Sequence, residues 1–549
     1  MSEEAGRSRR RPYSMRMLVG LNLGIALFIL MLLLPAPPGM APKAQRMAAV
    51  ALLMATWWIT EAVPIPVTAL LPLVLFPALG VMGTRDAAPN YTDQLVFLFL
   101  GGFLIAAAMT KWNLHRRIAL HTIRAVGTGP YRIVLGFMIA TAFLSMWISN
   151  TATVLMMLPI AMAVVRKLSE GAKLNGEGGE ESEREMRHNF GVALMLGIAY
   201  SASIGGIGTL IGTPPNGVFV GQLARNYAGG TPEVAFSQWM IAALPVVVVM
   251  IPLAWLIVLR FAPQVRIKDF DVGGGGKDVI NSEIARLGPM SPAERKVAIV
   301  FALTALLWIF RRPIDLGFVT IPGWGPLYGN AGLWSDATIA VMMGIVLFVL
   351  PADLKRFSLL EERKRNFLLD WRTAQESVPW GILLLFGGGF ALAHGFSTSG
   401  LSLWIGEHLR FLGGVPVVLV IMTIALLMTF LTEMTSNTAT TTLMMPILAV
   451  AALDLGQHPF LLMIPATFSA SCAFMLPVAT PPNAIVFGTG WVTIPRMSRT
   501  GLLLNFIGVA VVTTVVLLVV TQVFGIQIGS IPDWATHLKG EAAHQIIGQ

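Results

Sequence analysis

Apolar stretches long enough to cross a bilayer recur along this 549-residue chain from one end to the other. A hydrocarbon core about 30 Å thick takes about 20 apolar residues per helical crossing. Inside it no water is available to backbone N–H and C=O groups, so only helices and closed barrels can span it. Stretches of this kind lie near 17–35, 47–59, 64–82, 94–110, 191–224, 238–259, 297–310, 337–351, 379–396, 459–490 and 502–527. Charged residues make up 12% of the chain, against roughly 25% in a soluble domain. The fold class that follows is an all-α integral membrane protein with about 11 transmembrane helices.

Two further apolar stretches, 133–165 and 415–450, each carry a polar tripeptide in the middle. The first reads Ser149-Asn150-Thr151-Ala152-Thr153 and the second Ser436-Asn437-Thr438-Ala439-Thr440. Counted from each serine, the copies agree again at Met157 and Met444, Pro159 and Pro446, and Ile160 and Ile447. Each is followed by a Thr-Pro-Pro-Asn, at Thr213-Pro214-Pro215-Asn216 and Thr480-Pro481-Pro482-Asn483. The serine-to-threonine spacing is 64 residues in one copy (149 to 213) and 44 in the other (436 to 480), the excess matching a polar insert around 168–187. Polar groups in an apolar span cost free energy unless they have partners, so a doubled motif in matching order implies one site built from two halves of a repeat. The two stretches are expected to be re-entrant hairpins with the tripeptides at their tips.

The expected organisation follows. Residues 1–16 form a basic N-terminus, 17–46 an additional first helix and loop, 47–260 the first repeat and 261–296 a linker with Gly273-Gly274-Gly275-Gly276. Residues 297–527 form the second repeat and 528–549 a C-terminal tail. Each repeat has five crossings and one hairpin, so the second starts on the opposite face and the repeats are inverted. Interrupted helices in inverted repeats place a binding site near the bilayer midplane. With the N-terminus in the cytoplasm, the segments expected on that side hold 30 of the 38 Lys+Arg. That bias orients membrane proteins and accounts for the net charge of +9 without nucleic acid. The C-terminal tail then falls outside.

The motif residues suit anions and hard cations together. Ser, Asn and Thr satisfy free N–H groups where a helix begins, and such an N-terminus carries partial positive charge for a carboxylate or sulfate. Asn150, Thr151, Asn437 and Thr438 would add side-chain donors. The helix ending at each tip presents carbonyls, with Ser145 and Thr432 one turn before the serines. The Pro pairs free further carbonyls, and Gly212 and Ala479 can donate theirs to a Na⁺. No Lys or Arg is close to either tip in sequence, which favours bound Na⁺ over arginine capture of an anion. Glu61 and Glu433 are candidate buried carboxylates, with a structural hydrogen-bonding role expected for each. Gly101-Gly102 and Gly387-Gly388-Gly389 are expected to permit close helix contact, and the lone Cys472 to be a small core residue.

No Walker-type loop is present, which argues against ATP-driven transport, and the eight His show no metal-ligand spacing. No Ser or Cys nucleophile with a paired His or Lys lies near the tips, so an enzyme is not expected, nor any organic cofactor.

On the doubled Ser-Asn-Thr and Thr-Pro-Pro, and on Trp58-Ile59-Thr60-Glu61-Ala62, the sequence resembles the divalent-anion/sodium symporter family over nearly its whole length. The resemblance implies a homodimer in the lipid bilayer, each protomer divided into a scaffold domain and a transport domain that moves like an elevator. It implies a first Na⁺ site at Ser145, Ser149, Asn150 and Gly212, and a second at Thr432, Thr435, Asn437 and Ala479. Asn150, Thr151, Asn437, Thr438, Thr480 and Pro481 are the implied substrate contacts. The expected activity is Na⁺-coupled symport of a small dianion, a C4 dicarboxylate such as succinate, fumarate or malate. Sodium-independent dicarboxylate exchange, or sulfate or citrate as substrate, is the alternative within the family.

Overall fold

The computed structural model describes residues 14–127, 129–171, 180–226, 231–261, 275–315, 319–328, 333–353, 366–409 and 414–535. Most of the basic N-terminus, the centre of the polar insert, the first part of the linker with Gly273 and Gly274, and the end of the C-terminal tail lie outside these residues. The described chain is helical apart from one antiparallel two-stranded ribbon, Ile314–Asp315 with Thr320–Ile321, and a single bridge between Pro351 and Phe367. The expectation of helices alone missed that ribbon, which is two residues deep on each side.

Among the described residues, six helices are long and apolar enough to cross a membrane. They are Met15–Leu33, Thr84–Lys111, His188–Gly206, Phe236–Phe261, Trp380–Ser399 and Ile494–Val523. Shorter apolar helices cover most of the remaining stretches, while 47–59 and 297–310 lie in the longer but less apolar helices Pro42–Thr60 and Pro292–Ile309. Three of the stretches are broken, two of them at the Thr-Pro-Pro motifs where the proline pairs lead one to expect it. The stretch 64–82 divides into Ile65–Thr68 and Leu71–Ala78, where Pro64, Pro66, Pro72 and Pro77 withhold N–H groups. The stretches 191–224 and 459–490 are each two helices with irregular backbone between.

The helices that build the centre of the molecule are labelled in chain order. α1 is Met15–Leu33, α2 Pro42–Thr60 and α3 Leu114–Val126. α4 is Pro130–Ser145 and α5 Asn150–Gly171, the arms of the first hairpin. α6 is Glu180–Gly206 and α7 Pro214–Asn226, the halves of the first broken helix, followed by α8, Phe236–Phe261. α9 is Pro292–Ile309 and α10 Asp336–Val349. The second hairpin is α11, Val417–Thr432, and α12, Asn437–Asp454. The second broken helix is α13, Phe460–Ala470, and α14, Pro481–Phe487, followed by α15, Ile494–Val515.

Local chemistry sets the ends. Ser291 and Glu294 form a capping box at the start of α9, satisfying two N–H groups that have no partner within the helix. Ser335 caps α10. Gly400, at φ +78°, ends Trp380–Ser399 in a left-handed conformation that only glycine adopts without strain. α3 lies between the apolar stretches 94–110 and 133–165. Its Leu114, Ala119, Leu120 and Ile123 are buried while His121, Arg124 and Ala125 face outward, a one-sided helix.

The halves pack by a common scheme. α4 lies on α6 and α8, and α11 lies on α13 and α15. α5 packs against α14, and α7 against α12, so the helix that starts at each Ser-Asn-Thr meets the helix that starts at the other Thr-Pro-Pro. Gly101 and Gly388 let helices touch at backbone distance: a Cβ would stand 2.4 Å from the Ala340 carbonyl carbon and 2.3 Å from the Ala69 oxygen, respectively. A charge cluster centred on the buried Arg311 and Asp336 ties three segments together, with Glu233 at its exposed edge. Arg311 Nε donates to Asp336 Oδ1 at 2.6 Å and Nη1 to the Trp334 carbonyl at 2.9 Å, while Nη2 pairs with Glu233.

Candidate functional site

Both tripeptides sit at helix starts. Ser149 Oγ accepts from Ala152 N at 3.3 Å and its carbonyl from Thr153 N at 3.0 Å. Ser436 does the same toward Ala439 N at 3.5 Å and Thr440 N at 2.9 Å. The serine hydroxyls therefore cap α5 and α12, whose first residues are Asn150-Thr151 and Asn437-Thr438. All four are half-buried.

In the first half, Ser145 Oγ lies 2.5 Å from Asn150 Oδ1 and 2.7 Å from the Ala202 carbonyl. Gly206 lies against the same amide: a Cβ there would stand 2.7 Å from Asn150 Oδ1 and 3.2 Å from the Gly212 carbonyl oxygen. Ser145, Asn150 and the Gly212 carbonyl thus meet at or beside Gly206, while Ser149 is tied to them only through its place in the chain next to Asn150.

The second half differs. Thr432 Oγ1 donates within its own helix, to Met428 O at 2.9 Å or Thr429 O at 3.0 Å. Thr435 Oγ1 lies 2.7 Å from Leu431 O and 2.5 Å from Thr440 Oγ1. Asn437 Oδ1 is buried with no donor among the described residues. An unpartnered buried carbonyl oxygen costs free energy, which a bound cation relieves. Thr480 Oγ1 caps α14 by accepting from Asn483 N at 3.3 Å, and Pro481 beside it is exposed.

The breaks follow from proline chemistry. Pro214 and Pro215 have no N–H for the carbonyls of Leu210 and Ile211, four residues earlier, and Pro481 and Pro482 have none for Pro477 and Val478. The next N–H in each case is diverted: Asn216 N goes to Thr213 O at 3.2 Å, and Asn483 N to Thr480 Oγ1. The Gly212 and Ala479 carbonyls are left without their helical donor. The disorder in helical geometry accordingly spreads toward the N-terminal side of the prolines, over 207–213 and 471–480.

Glu433 is a buried carboxylate, as expected, and its role is hydrogen bonding. Oε1 accepts from Phe474 N at 2.7 Å, Met475 N at 2.9 Å and Asn505 Nδ2 at 2.8 Å, and Oε2 from Leu476 N at 3.0 Å. It locks the second tip to the second break. Position 146 holds the equivalent place in the first half, and there the Met146 carbonyl takes a hydrogen bond from the Thr209 hydroxyl. Glu61 is exposed and ends α2 at φ +52°, so it is not a buried carboxylate.

One expectation is corrected. No Lys or Arg is near the tips in sequence, but the fold brings one to the second tip. Arg16 Nη2, at the start of α1, donates to the Met434 carbonyl at 3.1 Å and to the carbonyl of Ile59. A contact across 418 residues leaves no local signal. Asn216 and Asn483, quoted above only as motif letters, also take part in the site. Each Nδ2 holds carbonyls of its own break.

With this geometry in hand, the chain compares as follows with known proteins. Residues 16–529 match the family model described as the sodium:sulfate symporter transmembrane region. A sodium-dependent dicarboxylate transporter, SdcS, of Staphylococcus saprophyticus is 42% identical over 524 residues, 95% of each chain. The SdcS protein of Staphylococcus aureus strain NCTC 8325 is 41% identical over 520 residues, 95% of this chain and 94% of its own. The crystal structure of the YdaH transporter of Alcanivorax borkumensis superposes with a TM-score of 0.52 at 15% identity, over 93% of this chain and 97% of that one. That last likeness is one of fold.

Proposed function

We propose, on the premise that the chain belongs to the sodium:sulfate symporter family, that it is a Na⁺-coupled symporter of C4 dicarboxylates such as succinate, fumarate and malate. Membership places it among secondary transporters and not among enzymes. The choice of dicarboxylate over sulfate follows the two relatives above, whose names specify that substrate class. The structural observation that carries the coupling is the pairing of each anion-seeking helix start with an oxygen-rich break, including the unpartnered Asn437 Oδ1.

In this reading Na⁺ is co-substrate. One ion binds at Ser145, Ser149, Asn150 and Gly212, and a second at Thr432, Thr435, Asn437 and Ala479. Their charge, added to the helix N-termini, admits the dianion between Asn150-Thr151 and Asn437-Thr438, with Thr480 and Pro481 at its edge. The hairpins 133–165 and 415–450 belong to inverted repeats 47–260 and 297–527, joined by the linker 261–296. The protein works as a homodimer in the cytoplasmic membrane, N-terminus inside and C-terminus outside, and moves its transport domain against a scaffold as an elevator.

Uptake of labelled succinate into proteoliposomes, with and without an inward Na⁺ gradient, tests the proposal. Uptake should require Na⁺, and Asn150→Ala or Asn437→Ala should abolish it while leaving the protein folded and monodisperse. Succinate counterflow that ignores Na⁺ selects an exchanger instead. Full activity in both variants refutes the site.

A further inference from the structure

The two asparagines that close the Thr-Pro-Pro-Asn motifs make the same bonds at the same offsets. Asn216 Nδ2 donates to Gly206 O at 3.1 Å and to Thr209 O at 2.7 Å, with Ile207 O at 3.4 Å. Asn483 Nδ2 donates to Ala473 O at 3.2 Å and Leu476 O at 3.1 Å. In both halves these carbonyls lie ten and seven residues before the asparagine. The match extends one step further: Gly212 N bonds Thr209 O at 3.3 Å, and Ala479 N bonds Leu476 O at 3.2 Å. Both asparagines are fully buried. Both also keep Oδ1 without a donor among the described residues. Because each nitrogen is committed to carbonyl oxygens, neither amide can be turned over without setting oxygen against oxygen.

A proline pair removes two backbone donors in succession, so a break left to itself has a surplus of carbonyls and no rule for which of them stay free. One amide nitrogen resolves this in each half. It ties up the carbonyls on the far side of the break and leaves those of Gly212 and Ala479 without a donor among the described residues. We propose that Asn216 and Asn483 are matched positioning residues for the two Na⁺ sites: they hold each break in the shape that presents the Gly212 and Ala479 carbonyls to an ion. The inference rests on the Na⁺-coupled reading above and deepens it.

The test is a Na⁺ titration of succinate uptake in proteoliposomes for wild type, Asn216→Ala and Asn483→Ala, with the succinate KM measured separately at saturating Na⁺. Each variant should raise the Na⁺ concentration for half-maximal uptake by roughly 10- to 100-fold, the effect of losing one or two buried hydrogen bonds. The succinate KM at saturating Na⁺ should stay within about threefold. Asn216→Ser and Asn483→Ser, which keep one short donor, should fold where alanine does not and show an intermediate shift. A lowered melting temperature with an unchanged Na⁺ requirement, in either the alanine or the serine series, overturns the positioning role and leaves the symporter intact. Wild-type uptake that is indifferent to Na⁺ sinks the symporter reading itself.

Discussion

Replacing Gly212 by alanine puts a single methyl group where the first break has no room for it. The new Cβ would stand 2.5 Å from the Gly206 carbonyl oxygen and 3.1 Å from the Gly206 carbonyl carbon and Cα. Ordinary contact begins at 3.4 Å, so the backbone must open by about 0.9 Å. The obstacle cannot rotate aside, since it is main chain and its oxygen is held by Asn216 at 3.1 Å. Gly206 in turn lies against the Asn150 amide, so the displacement reaches the proposed ion ligands directly. Overpacking of this kind costs ~1–3 kcal/mol. Carried by the ion-bound state, that weakens Na⁺ binding roughly 5- to 150-fold, at 1.4 kcal/mol per factor of ten. The second half supplies the control, because the equivalent residue is already Ala479. Ala479→Gly should change the Na⁺ requirement by less than about threefold, chiefly through backbone entropy. The assay is half-saturation by Na⁺ of succinate uptake in proteoliposomes. A Gly212→Ala protein with wild-type half-saturation would refute the claim that this carbonyl's placement is what the ion reads.

Further expected outcomes follow from other parts of the structure. Arg311→Ala leaves Asp336, 6% exposed, without its guanidinium, and breaking such a pair costs ~3–5 kcal/mol; an unchanged melting temperature in detergent would contradict it. Glu433→Gln sets an NH₂ group among N–H donors that now find carboxylate oxygen, with a loss of ~1–3 kcal/mol or more read by the same melt. His458 lies in the turn between α12 and α13, outside the spanning helices, where burial pushes its pKa down to about 4. Its Nδ1 accepts from Phe460 N at 3.2 Å, which requires that nitrogen to be unprotonated. The stability it confers is therefore present above pH 6.5 and lost as pH falls toward 4, by at most ~3 kcal/mol. His458→Phe should flatten the melting profile between those pH values.

What the sequence disclosed was mainly what is local or repeated. The helical spans follow from apolar run length, and the two tips from a tripeptide that recurs in register. Prolines announced that two helices break, yet not where the irregular backbone lies, because a missing N–H is felt by the carbonyl four residues earlier. Hence the breaks occupy 207–213 and 471–480, upstream of the residues that cause them. Arg16 at the second tip was invisible because its partner lies in the other half of the chain. The bonds of Glu433 to 474–476 and of Asn505 to Glu433 are likewise long-range pairings with no periodic signature. Asn216 and Asn483 stood in plain sight in the motif. A buried amide has no characteristic spacing to its carbonyl partners until the break exists. Helix α3 was legible in principle from the period of Leu114, Leu120 and Ile123, but it carries no long apolar run, the signal on which the spans were drawn.

The proline pairs have one more consequence. A helix bent by side-chain contacts can straighten when those contacts change, but Leu210, Ile211, Pro477 and Val478 can never recover a helical donor from residues that have no N–H. The openings in the two helices are therefore permanent features of the covalent chain. For the carrier proposed here, the binding chamber is prefabricated, and no refolding free energy is charged to each turnover. What is left to change in a turnover is which compartment that chamber faces, and the electrochemical gradients of ion and substrate set the direction of net flux.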